Sequence, residues 1–203
     1  MKKAKATPAA LGFRVKSGWA MAVLLACSDK SPTLVWCAPA LLSDPQVPAT
    51  KQPYHAALEL PPKEAKATIQ KLVKLVSATA KRSVKDLLEQ AGEAGYQVRG
   101  VAMVVGSLVD PALLHNEHIR AHGLEGQLFR SVLADAFEAR GIRCSVFLEK
   151  EAYARAAEEL GTTEEGARRT VAQIGESHEG SWRAEEKMAA LAAWVALAGA
   201  CSR

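Results

Sequence analysis

The chain has 203 residues, of which 49% are hydrophobic and 24% charged, and its formal net charge is +4. That balance excludes a disordered or collagen-like chain and is enough for one substantial core, so a single domain is expected, with a mild preference for anionic partners. The apolar stretch at 188–201 falls short of the ~20 residues that a membrane-spanning helix needs, and reads as a buried helix.

Residues 1–10, with Lys2, Lys3, Lys5 and Pro8, read as a disordered basic leader, and 11–203 as the domain. A β-compatible run at 13–26 meets the turn cluster Ser28-Asp29-Lys30-Ser31-Pro32, and a second strand at 33–42 completes a hairpin. Pro45, Pro48 and Pro53 mark a loop before a third strand at 54–60. Pro61-Pro62 ends that strand and can open a helix. Ile69, Leu72, Val73, Val76, Ala80, Val84, Leu87 and Ala91 recur at helical spacing, with Gly92 or Gly95 as the stop. Next come a strand at 98–105, an amphipathic helix at 124–140, a short strand at 143–148 and a helix at 152–160. Thr162 and Glu165 have capping-box spacing for a further helix, and a last helix spans about 185–197. This order predicts an α/β fold: a mixed five-stranded sheet, three antiparallel strands then two parallel, with helices on both faces.

The segment Gly12-Phe13-Arg14-Val15-Lys16-Ser17-Gly18-Trp19-Ala20 resembles the opening strand of ribonuclease H-like proteins of the RuvC-type branch. There the pattern is glycine, hydrophobe, aspartate, a glycine turn, then Gly-Trp-Ala. With the order of elements, the likeness covers residues 11–200. It implies a nuclease fold that holds two Mg²⁺ ions on carboxylates from the first strand, the end of the fourth strand and the last helix. In this chain Arg14 occupies the first acidic slot, with Lys16 close behind, and a cation there repels the ions. The fourth strand ends Val104-Val105-Gly106-Ser107, with no acid until Asp110. Met188-Ala189-Ala190-Leu191-Ala192 resembles the family's Ala-Asp-Ala-Leu-Ala, but with Ala189 in the acidic place; Glu185 and Glu186 lie about one turn earlier. The expectation is a cytoplasmic pseudonuclease with a degenerate metal site. Its partner would be nucleic acid or another phosphorylated ligand.

The densest polar cluster, His115-Asn116-Glu117-His118-Ile119-Arg120-Ala121-His122-Gly123-Leu124-Glu125, follows the fourth strand. Ligands of open α/β sheets bind beyond the carboxyl ends of the strands, so a site belongs here. If the helix expected at 124–140 starts early, His118 and His122 share one of its faces, with Glu125 three residues further along it, and the three form the candidate acid–base or transition-metal group. His-Ile-Arg-Ala-His lacks the glutamate of a metalloprotease, and no cofactor is fixed by the sequence. The competing reading is a cationic pocket in which Arg120 joins Arg14 and Lys16 around a phosphate or carboxylate. A solvated loop with hydrogen-bonding histidines is the bland alternative.

His55, at the entrance to the 54–60 segment, is a candidate ligand-binding residue whose ordinary role would be turn packing. Glu149 and Lys150 end the fifth strand and can border the same crevice. Lys63, Lys66, Lys71, Lys74, Lys81 and Lys85 form a stripe along the long helix, suited either to a phosphate backbone or simply to solvent. The four cysteines have no Cys-x-x-Cys spacing and read as buried free thiols. Val23-Leu24-Leu25-Ala26-Cys27 is similar to a bacterial lipobox, so processing to a lipid anchor at Cys27 is a further alternative.

Overall fold

In the computed structural model, which describes residues 6–28 and 31–201, Ser17-Gly18 folds the first apolar run back on itself. Gly18 sits at φ 82°, in the left-handed region that favours glycine, and Lys16 pairs with Trp19 across the turn. The run expected as one strand at 13–26 is therefore two antiparallel strands, β1 (Thr7–Lys16) and β2 (Trp19–Ser28). The expected second strand becomes the third, β3 (Ser31–Leu41), antiparallel to β2. No strand forms at 54–60. Local bonds, Ala56 N–H to the Gln52 carbonyl at 3.0 Å and Leu58 N–H to that of His55 at 3.1 Å, close a 3-10 turn at His55–Ala57 instead.

The 32-residue helix α1 (Pro62–Glu93) opens on Pro62, where a missing N–H costs nothing. It leads to β4 (Tyr96–Val105), which lies parallel to β1. Helix α2 (Glu117–Glu138) begins seven residues earlier than periodicity suggested, because the Asn116 side chain accepts the Ile119 N–H at 3.0 Å and caps it. β5 (Cys144–Leu148) runs parallel to β4, and α3 (Ala152–Leu160), α4 (Glu164–Gly175) and α5 (Ala184–Cys201) complete the chain. Thr163, one residue after the expected Thr162, caps α4 by accepting the Gly166 N–H at 3.0 Å.

The sheet order is β3-β2-β1-β4-β5. Strand alternation divides the core. Leu11, Phe13, Val15 and Leu24 face α1 and α2, where Phe13 meets Phe137 at 5.5 Å between ring centroids. Ala10, Val23, Leu25, Ala102 and Val104 face α3, α4 and α5. Helix α5 lies directly on the central strands. A Cβ at Gly12 would come within 2.0 Å of the Ala189 carbonyl oxygen, and one at Gly100 within 2.7 Å of that of Ala196.

Three expectations are corrected. The leader does not reach residue 10: β1 starts at Thr7, whose N–H donates to the Gly95 carbonyl at 3.0 Å, whereas residues 1–5 lie outside those described. Cys27 is exposed rather than buried, and Cys37 and Cys144 are half-buried, all three as free thiols. Cleavage before Cys27 would remove β1 and all but the last two residues of β2, taking out the middle of the sheet. The lipid-anchor alternative therefore conflicts with the fold. Among the described residues no helix is long and apolar enough to cross a membrane.

Candidate functional site

At the carboxyl ends of β1 and β4 a cleft of about 270 Å³ opens between Arg14, Lys16, Gly106, His122 and Arg130. Arg14 leaves β1 on the α5 side of the sheet, and His122 projects from α2 on the other; both reach the cleft because it lies beyond the strand ends.

The Arg14 side chain is only 7% exposed. Its Nη2 lies 2.5 Å from Glu149 Oε2, and its Nη1 donates to the Val15 carbonyl at 2.9 Å. A buried guanidinium needs such a partner, and here the carboxylate comes from the end of β5. Lys16 Nζ lies 3.3 Å from Glu185 Oε1, at the start of α5. A hydrogen bond from its own backbone, then the Lys16 ammonium, hold the Glu185 carboxyl below the usual carboxylate range.

The other acids nearby serve the fold. Glu186 accepts the Arg183 N–H at 2.9 Å at the head of α5, Asp110 accepts the Ala112 N–H at 2.9 Å, and Ala189 is fully buried against Gly12.

Arg120 does not join Arg14 and Lys16. Its Nε donates to the Leu114 carbonyl at 2.8 Å, which ties down the segment before α2, and its side chain lines a separate groove with Tyr54 and Leu58. Arg130 takes its place in the cleft. The 122, 126, 130 spacing along α2 is the signal that could have found it. Lys150 is exposed, pairs with Glu151 at 3.8 Å, and borders a neighbouring shallow depression together with Glu149.

Next to the cleft lies the histidine cluster. His118 and His122, one turn apart on α2, converge with His55 from the 3-10 turn. The ring centroids are 4.6 Å apart for His55 and His118, 4.2 Å for His55 and His122, and 4.8 Å for His118 and His122. One ligand atom from each ring lies within 4.8 Å of the others, so the three could hold a metal ion.

Glu125 does not share the exposed face of His118 and His122. It is fully buried behind the rings, and its Oε1 accepts from His55 Nδ1 at 2.9 Å and from the His55 backbone N–H at 3.3 Å. Its Oε2, 3.9 Å from His122 Nδ1, and the buried Nε2 of His55 have no hydrogen-bond partner. Burial first, and then the Glu125 charge, push the Tyr54 phenol above its ordinary range.

The chain has a ribonuclease H-like fold of the RuvC type. It superposes on the structure of Thermus thermophilus RuvC with a TM-score of 0.52 over 92% of each chain, at 12% sequence identity. Against T. thermophilus RuvC in complex with a Holliday junction substrate, the TM-score is 0.50 and the identity 11%, over 92% of this chain and 90% of that one. At such identities the likeness is one of fold. No family model matches the chain, and no curated protein does either.

Proposed function

We propose that this chain binds a phosphate-bearing ligand, nucleic acid first among them, at the cleft beyond β1 and β4, without two-metal carboxylate chemistry. The observation that carries this reading is the presence of Arg14 and Lys16 at the carboxyl end of the central strand, joined by Arg130 across the cleft. Mg²⁺ requires converging oxygen ligands. Here two positive side chains occupy the strand end, and Glu149 and Glu185 are already paired with them. Ala189 offers no carboxylate. These residues do not fit the ions that the fold's nucleases use.

Cations on a cleft floor suit phosphate oxygens. The exposed row Lys63, Lys66, Lys71, Lys74, Lys81 and Lys85 on α1 offers a second basic surface for a long polyanion. One neighbour in fold is seen with a Holliday junction substrate, which makes branched DNA the first probe.

The test is binding of labelled single-stranded, duplex and four-way DNA and RNA at two salt concentrations, with and without Mg²⁺. Salt-sensitive binding is expected, with log K falling by about 2–3 per decade of salt for two or three phosphate contacts, and no Mg²⁺-dependent cleavage. Binding to none of these probes would overturn the nucleic-acid reading. Cleavage that requires Mg²⁺ would overturn the loss of the two-metal site.

A further inference from the structure

We propose that His55, His118 and His122 form a three-imidazole site for one divalent transition-metal ion of the Zn²⁺ class, with Glu125 as the carboxylate that orients His55. The inference stands apart from the nucleic-acid reading, since it uses none of the cationic residues of the cleft.

The argument starts at Glu125. A carboxylate only accepts hydrogen bonds, so the 2.9 Å contact means that His55 Nδ1 carries the proton. In a neutral ring the lone pair is then on Nε2. That atom is buried and has no hydrogen-bond partner, an uncommon state for an acceptor in a folded protein. Metal-ligating histidines are characteristically held this way, with one nitrogen on a carboxylate and the other on the ion.

The two remaining rings are in position to complete the site. The ligand atoms lie within 4.8 Å of one another, and binding requires the rings to turn until they reach the roughly 3.4 Å that ~2.1 Å metal–nitrogen bonds at tetrahedral angles demand. His118 and His122 are exposed and free to make that turn.

An all-nitrogen set selects a borderline ion over Mg²⁺ or Ca²⁺, and three protein ligands leave a fourth position for water or an anion. His122 also lines the cleft, so the ion would add a Lewis acid at its rim.

The experiment uses the full-length chain without a histidine tag, stripped of metal and titrated with Co²⁺ and then Zn²⁺. The expected result is a visible d–d absorption typical of four-coordinate Co²⁺, saturating at one equivalent and displaced by Zn²⁺. Glu125→Gln should weaken the affinity about 10- to 100-fold. The double variant His118→Ala/His122→Ala alters only exposed rings. It should abolish the signal while its metal-free thermal unfolding stays unchanged. Absence of saturable one-equivalent binding in the wild-type chain, or undiminished binding in the double variant, would overturn the proposal. DNA binding measured in the stripped protein reports separately on the cleft.

Discussion

Glu125 and His55, seventy residues apart in sequence, are joined by two hydrogen bonds to one carboxylate oxygen, from the His55 ring at 2.9 Å and from its backbone N–H at 3.3 Å. The pair fastens the 3-10 turn after β3 to the first half of α2, under the histidine cluster. Removing the two ends should have unequal effects. His55→Ala strands a buried carboxylate and should cost about 3–5 kcal/mol. Glu125→Ala leaves two part-buried neutral donors unpaired and should cost about 1–3 kcal/mol. Urea unfolding in metal-free buffer measures both, and equal small losses would show that the pair does not hold the turn.

The Lys16–Glu185 pair should restrain ligand binding. Glu185→Gln releases Lys16 and should raise affinity for labelled DNA several-fold, steepening the salt dependence by about one ion. The pair itself is part-exposed, so its loss should change stability by no more than about 1 kcal/mol. The pH sign follows from the lowered Glu185 pKa. The pair's contribution is complete above the ordinary carboxylate range and disappears as pH falls through the lowered folded value. Acidification through that window should raise DNA affinity in the wild type more than in Glu185→Gln. An equal rise in both proteins would place the effect elsewhere.

Two glycines should respond oppositely to alanine. At Gly12 the new Cβ would press on the α5 backbone, 2.0 Å from the Ala189 carbonyl oxygen and 2.2 Å from the Ala193 nitrogen. A clash between two backbones has no rotamer escape, so Gly12→Ala should cost more than about 4 kcal/mol or prevent folding. At Gly126, inside α2, a Cβ meets nothing within 4 Å, and Gly126→Ala should stabilise by about 0.5–1 kcal/mol. Soluble yield and thermal melting separate the two.

Thiol reactivity should follow burial. Desolvation, and then the Glu186 charge, push Cys37 up to about 11; desolvation, and then the Glu138 charge, push Cys144 up to about 12. At pH 8 their thiolate fractions are therefore roughly one in a thousand and one in ten thousand. Peptide mapping after brief iodoacetamide treatment of the native chain should find the exposed Cys27 modified well before either. Early labelling of Cys144 would contradict the packing of β5.

Where a signal was local, the sequence was readable. The apolar repeat from Ile69 to Ala91 lies in α1, and the i,i+4 spacing of His118 and His122 puts their rings on one face once the Asn116 cap starts α2 at Glu117, earlier than the repeat indicated. Misreadings arose where local preference gave way to pairing. β-compatible residues continue on both sides of Ser17-Gly18, so the glycine turn of the family pattern was absorbed into one long strand, and 54–60 had strand-like composition but no neighbour to pair with. His55 could not be joined to the cluster from sequence, because α1 and β4 lie between it and α2. Glu125 was placed on the correct helix. That it turns inward at full burial depends on the 3-10 turn that covers it.

The bare contact of α5 with Gly12 and Gly100 also decides which parts of the molecule can give way. Helices that meet a sheet through long side chains can slide by changing rotamers. Here main chain lies against main chain, and that route is closed. α5 and the central strands must therefore move as one rigid strut, carrying Glu185 and Lys16 together. Any widening of the cleft to admit a bulky ligand falls to its opposite wall, formed by α2 and the stretch with Gly106, Ser107 and Val109 that follows β4.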